Sequence, residues 1–167
     1  QAISLQKNGN ARENIRQKLE KLLKNPAFVS EHCGPTNKIG IHTLYHDKDF
    51  GFMVLSHIND HGRKSPPHDH GDSWAIYGQA IGQTIMSEYE RIDDGTIRGK
   101  AEIKKIKEYR LEPGFAGTFG PRHIHSISFS DGARFIRVTG QDLSKISTRK
   151  FDQENRTVFE TSPEAPS

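Results

Sequence analysis

The apolar positions of this chain change their spacing once, near residue 39. Before that point they recur at helical intervals and predict an amphipathic helix that begins at Asn10, with Glu13 as capping-box partner. Its apolar face consists of Ile15, Leu19, Leu22 and Leu23. Asn25-Pro26 ends this helix or starts a second short one that runs to about Cys33. We expect residues 1–9 to form a loose arm and the helices to cover one outer face of the remaining fold.

From residue 39 onward, apolar and polar residues alternate in short segments, which is the period of β-strands. The predicted strands are Ile39–Tyr45, Phe50–His57, Trp74–Glu90, Glu102–Leu111, Gly117–Phe119, Ile124–Phe129 and Arg134–Thr139. Turn-forming residues separate them, and Asp94-Gly95 predicts a hairpin between two of the longer segments. Strands at this spacing, with no helices between them, indicate an all-β antiparallel barrel or sandwich.

These patterns divide the chain into three parts, and no internal repeat is present. Residues 1–38 are expected to form a helical segment packed on a barrel of residues 39–143. Residues 144–167 are expected to form a C-terminal extension that ends in a disordered tail from Glu160 to Ser167, because this stretch is short of apolar side chains.

Composition and charge narrow the classes of function. No apolar run in the 167 residues is long enough to span a membrane, so we expect no membrane partner. The net charge is +3, but basic and acidic side chains are mixed even in Lys100–Arg110, so we expect no nucleic-acid partner. The single cysteine, Cys33, excludes an intramolecular disulfide framework and favours a cytoplasmic location. Removal of a leader before Gln1 stays open.

Histidines carry the candidate chemistry. His68 and His70 follow Pro66-Pro67 and are one residue apart, so on an extended backbone their imidazoles point to the same side and can chelate one metal ion. The proline pair places them at the start of a strand, on a rim. His125 opens a later strand and shares one face with Ile127, which places its imidazole at the mouth of an apolar interior. That position suits a metal ligand.

The other polar residues near these positions are weaker candidates. The isolated histidines are interpreted as surface or core residues; they are His32, His42, His46, His57 and His61. His123 could support a ligand, be a fourth ligand or lie in a loop, and we favour the loop. Asp69 should point away from the metal by strand alternation, and Asp72 should form local hydrogen bonds in a turn.

Two stretches of the sequence resemble the motifs of the cupin superfamily. Pro67–His70 followed by Gly78 resembles the first motif, and Glu112–Gly114 followed by Pro121–His125 resembles the second. The similarity is greatest to the small cysteine-dioxygenase-like (thiol dioxygenase) branch, in which the pattern Pro-Pro-His-Asp-His-Gly-x-Ser-Trp is familiar. It implies a double-stranded β-helix, or jelly-roll barrel, preceded by N-terminal α-helices.

The resemblance also implies a mononuclear metal enzyme with the ligands His68, His70 and His125. Three neutral imidazoles leave the charge of a divalent ion uncompensated, so such a site would favour a small anionic substrate. Fe(II) is the expected metal, in a non-haem dioxygenase reaction with O2. Mn, Ni or Zn would instead support redox-neutral lyase or isomerase chemistry, and a cupin that only binds a small ligand is a further alternative. Relatives of this kind suggest a homodimer as one option.

Around the ligands the sequence departs from the thiol dioxygenase pattern. The family's His-x-Tyr pair falls on Arg137 and Thr139, its substrate arginine falls near Thr43, and the cysteine that some members cross-link falls on Ala75. The resemblance therefore implies the ligands more strongly than it implies thiol oxidation.

Two residues are candidates for catalytic roles. In the family's register Arg137 would face the interior and bind a substrate carboxylate, but Ile136 and Val138 form an apolar face that would turn it towards solvent, and both alternatives stay open. Tyr77 could act as a hydrogen-bond donor or an acid, or pack as a core aromatic, and we favour packing.

Overall fold

The structure is a computed structural model that describes residues 9–163. This part of the chain begins with two helices. Helix α1 spans Gly9–Leu23 and helix α2 spans Pro26–Cys33. Asn10 lies inside α1, so the predicted cap is wrong. Asn25 caps α2, since its side chain accepts a hydrogen bond from the Ala27 N–H at 3.0 Å. No helix in this range is long and apolar enough to cross a membrane. Residues 1–8 of the expected arm lie outside the described range.

Strands make up most of the remaining chain. In order, β1 to β11 are Gly40–His46, Met53–Ile58, Arg63–Lys64, Ala75–Ile81, Thr84–Arg91, Ile103–Leu111, Ala116–Phe119, Ile124–Phe129, Arg134–Thr139, Thr148–Asp152 and Thr157–Thr161. The long predicted segment Trp74–Glu90 is two strands, because Gly82 turns the chain between them with a φ of +75°. The sequence analysis missed the two-residue strand β3 and the C-terminal strands β10 and β11.

The strands form two larger antiparallel sheets that pack face to face. One sheet has the order β1-β2-β9-β4-β7, the other β3-β8-β5-β6, and β10-β11 is a separate hairpin. The predicted Asp94-Gly95 hairpin is confirmed, since β5 and β6 pair directly. Aromatic and aliphatic side chains from both sheets meet in the interior, among them Tyr77, Phe135, Met86 and Phe129. This arrangement fits a jelly-roll.

Helix α1 covers the outer face of the first sheet. Leu19 and Leu23 pack there against Ile136 and Val138 of β9. The approach is close because β4 has a glycine at the contact: a Cβ atom on Gly78 would lie 2.5 Å from a Leu23 methyl carbon. The apolar outer face of β9 is therefore buried under a helix, and the alternate face of the strand is turned towards the interior.

The C-terminal extension contains ordered structure beside the His-x-His segment. The Asp69 N–H donates to the Arg149 carbonyl oxygen at 3.0 Å, and the Phe151 N–H donates to the Pro67 carbonyl oxygen at 2.8 Å. Glu160–Thr161 belong to β11, so the prediction of disorder is wrong for them. These strands are held by backbone hydrogen bonds, which a polar composition does not reveal. Residues 164–167 of the expected tail lie outside the described range.

Candidate metal centre

His68, His70 and His125 converge on one point. One ring nitrogen from each lies within 4.8 Å of the others. The ring centroid of His68 is 5.1 Å from that of His70 and 4.6 Å from that of His125. The centroids of His70 and His125 are 4.9 Å apart. At this spacing the three imidazoles are close enough to hold one metal ion.

Backbone hydrogen bonds join the two segments that carry these histidines. The N–H of His68 donates to the carbonyl oxygen of His125, and the N–H of His125 donates back, both at 2.9 Å. On the rings, the Nδ1 atom of His68 faces the Pro66 carbonyl oxygen at 2.9 Å, and the Nδ1 atom of His125 faces the His123 carbonyl oxygen at 3.1 Å. Since a carbonyl only accepts, both Nδ1 atoms carry the proton, and Nε2 is left as the ligand atom.

The donor set fits a divalent transition metal. The Nε2 atom of His125 is buried, and no residue in the described range hydrogen-bonds to it. Burial is the main cause that holds the pKa of both His125 and His70 well below the ordinary value, and repulsion from the neighbouring histidines adds to it. Both rings are therefore neutral, and the Nε2 atom of His125 keeps a lone pair for an ion. Imidazoles alone do not select among Fe, Mn, Ni and Zn.

Tyr77 lies beside the histidines. Its hydroxyl oxygen is 2.9 Å from the Nε2 atom of His70. Burial raises the pKa of the hydroxyl, while the positive charge of Arg137 opposes that shift. The ring also packs against Phe119 and Phe135, with centroids 5.8 and 6.0 Å away. Tyr77 thus combines core packing with a protonated hydroxyl at the candidate metal centre.

A cavity of about 460 Å³ opens beside His68. Its volume is in the range of small-molecule sites. Its polar and aromatic lining includes His57, Asn59, Asp60, His61, Arg63, Ser65, Tyr77, Phe129, Phe135 and Arg137. Arg137 pairs in register with Tyr77, and its Nε atom is buried without a hydrogen-bond partner in the described range. Of the two orientations left open by the sequence, the inward one is therefore present, because α1 takes the other face of β9.

The sequence analysis missed His57 as a cavity residue. Its ring stacks on Phe135 at 4.6 Å, with planes 17° apart, and its Nε2 atom is buried without a partner among residues 9–163. Burial, with the positive charges of Arg137 and Arg63, lowers the pKa of His57 to about 3. Its spacing of two residues from Leu55 on β2 could have placed both side chains on the inward face.

The neighbouring candidates point elsewhere. His123 lies in the turn before β8, as expected, and its ring faces a Glu88 carboxylate oxygen at 2.8 Å. Asp69 points away from the three histidines, as strand alternation predicts, and its carboxylate bonds to Arg149. Asp72 forms an ion pair with Arg122 at 2.9 Å, so the expected local hydrogen bonds are replaced by a contact to another turn.

No family model and no curated protein matches this chain. Among similar solved structures is the cupin domain of Cnp3 from Schizosaccharomyces pombe, 10% identical, with a TM-score of 0.48 over 65% of this chain and 66% of that one. KdgF from Halomonas sp. is 19% identical, with a TM-score of 0.43 over 59% of this chain and 74% of that one. L-ribose isomerase from Cellulomonas parahominis, solved with L-psicose, is 13% identical, with a TM-score of 0.49 over 64% of this chain and 61% of that one.

Proposed function

We propose that this chain is a metal-dependent enzyme of cupin fold that acts on a small anionic substrate, and that it is a mononuclear non-haem Fe(II) dioxygenase. The observation that supports the proposal is the convergence of three neutral imidazoles beside a cavity lined by His68 and Arg137, where the Nε atom of Arg137 is buried without a partner in the described range. When bound by His68, His70 and His125, the ion would supply open coordination positions for an anion and O2.

The residues of the cavity would bind and orient the substrate. The Arg137 guanidinium offers parallel N–H donors that match the two oxygens of a carboxylate. Phe129 and Phe135 line the same cavity, and against a bound substrate they would exclude water, which would strengthen that charge-assisted contact.

Tyr77, the cross-strand neighbour of Arg137, would act on the same bound anion. Its hydroxyl is protonated, is held next to His70 and lines the cavity, so it can donate a hydrogen bond to a substrate oxygen. The same proton could be given up during the reaction, which makes Tyr77 the candidate acid of the site.

A redox-neutral lyase or isomerase is the second candidate. The protonated Tyr77 hydroxyl lines the cavity, and reactions of this class need proton transfer rather than an oxidant. A cupin that binds a ligand without turnover would share the cavity but not the reaction.

Metal content and oxygen uptake together test these alternatives. The protein, purified under mild conditions, is expected to retain a stoichiometric transition metal, and the iron-loaded form to consume O2 with members of a panel of thiols, carboxylates and enediols. His68→Ala should abolish both, whereas His46→Ala, at an exposed position outside the cavity lining, should abolish neither.

The outcomes separate the candidates. Retention of no metal, together with unchanged stability and ligand binding in His68→Ala, would contradict a metal enzyme. If iron-loaded protein binds compounds of the panel but consumes no O2, the dioxygenase is wrong. Conversion of a bound compound without O2 uptake would then identify the redox-neutral enzyme, and its absence would identify the binding protein.

A further inference from the structure

A second arginine lines the cavity beside the candidate metal centre. Arg63 lies in β3, where it pairs in register with Phe129 of β8, and both side chains line the cavity. Arg63 is exposed, so it lies at the solvent side of the cavity, whereas the Nε atom of Arg137 is buried. Lys64 follows Arg63 but does not line the cavity.

Neither arginine has a carboxylate partner in the described range. The only carboxylate of the cavity lining there is Asp60, and it is already engaged by His61: it accepts the His61 N–H at 2.8 Å and lies 3.6 Å from the ring. The cavity therefore has an excess of positive charge before any metal ion is added.

The two charges act on a common part of the wall. Both Arg137 and Arg63 lower the pKa of His57, so both lie within electrostatic reach of that ring. The ring is neutral and its Nε2 atom is buried without a partner in the described range. Buried polar atoms in this state are uncommon in folded proteins, and a functional role or a bound water or ion is among the explanations for them.

We propose that the substrate of this site is a small dicarboxylate, with one carboxylate on Arg137 beside the histidines and the other on Arg63 at the mouth of the cavity. This inference rests on the proposed function and specifies its substrate class. A monoanion would leave one of the two guanidinium groups unmatched, whereas a dianion matches both.

Calorimetric titration with matched acids tests the inference. Malonate, succinate and glutarate are compared with the monocarboxylates of the same carbon number, using both metal-loaded and metal-free protein. At least one dicarboxylate is expected to bind about tenfold more tightly than its monocarboxylate partner. Arg63→Gln should remove about fivefold of that advantage, because the charge is exposed, and should leave the monocarboxylates unchanged. Arg137→Gln should weaken both classes about tenfold or more.

Lys64→Gln is the matched control, since it removes the same charge from the adjacent residue. Equal affinities of all dicarboxylates and their monocarboxylate partners would overturn the inference, as would equal effects of Arg63→Gln and Lys64→Gln. The exposed Arg63 site keeps the test valid if Arg137→Gln fails to fold. If the ion binds but the dicarboxylate advantage is absent, only the substrate class is wrong. If the advantage is present but no ion binds, the metal enzyme is wrong and the dicarboxylate site stands.

Discussion

The buried carboxylate of Asp69 links the segment that carries His68 and His70 to the C-terminal hairpin. Loss of this contact should affect the candidate metal centre. One carboxylate oxygen accepts the N–H groups of Gly71 and Arg149 at 3.0 and 2.9 Å, and the other accepts Nε–H of Arg149 at 2.6 Å. Asp69 lies between the two ligands His68 and His70. We predict that Arg149→Ala destabilises the fold and weakens metal binding.

The magnitude follows from the exposure of the two partners. The Asp69 side chain is 0% exposed and the Arg149 side chain 23% exposed. Breaking a fully buried ion pair costs about 3–5 kcal/mol. Here the two backbone N–H donors to Asp69 remain and Arg149 is partly solvated, so we expect the free energy of unfolding to fall by about 2–3 kcal/mol. Loss of groups that orient metal ligands typically weakens metal affinity about 10- to 100-fold.

Two measurements separate the effect of Arg149→Ala on stability from its effect on metal affinity. Urea unfolding of the metal-free protein gives the change in the free energy of unfolding, and competition with a chromophoric chelator gives the metal affinity of the folded protein. Lys150→Ala is the control, because it removes the neighbouring side chain and leaves the backbone hydrogen bonds of β10 in place. The reasoning would be refuted if Arg149→Ala matched Lys150→Ala in both measurements.

Three further predictions concern other parts of the fold. Gly78→Val should destabilise the protein by about 1–3 kcal/mol in thermal unfolding, since its Cβ would lie 2.5 Å from Leu23, and an unchanged midpoint would contradict close packing of α1. The pKa of His57 is lowered from 6.5 to about 3, so the unfolded chain binds the proton first and stability should fall as the pH drops through that window. His57→Phe should lose less stability on acidification than the wild type; an identical pH profile would argue against the buried neutral imidazole. Cys33 is fully buried and its pKa is raised to about 11 by burial, so iodoacetamide at pH 8 should label it only in urea.

Strand alternation and motif spacing predict much of the site. Both imidazoles of the His-x-His pair lie on one side, and His125 joins them from the later strand, as the resemblance to the cupin motifs implies. Any further likeness to the thiol dioxygenase branch stays a prediction. The strands β1, β2 and β6 to β9 lie close to their predicted positions because their alternation is regular.

The sequence could not decide which residues face the cavity. The alternating pattern of β9 is apolar on the face of Ile136 and mixed on the face of Arg137, so the sequence left open whether the arginine points inward or to solvent. The inward orientation is present because α1 buries the apolar outer face, a contact between distant parts of the chain. For the same reason His57 looked like an isolated histidine, and β10 like part of a polar extension.

The segment that carries His68 and His70 lies between two later parts of the chain. This position sets the order in which the candidate metal centre can be completed during synthesis. His68 is bonded on one side to His125, and on the other it forms a bridge with Lys150. Both partners leave the ribosome well after the His-x-His pair, and contacts this distant in sequence form late. If the centre binds a metal ion, capture of the ion would therefore come late in folding, and a polypeptide that ends before His125 would carry two of the three candidate ligands without a site to hold an ion.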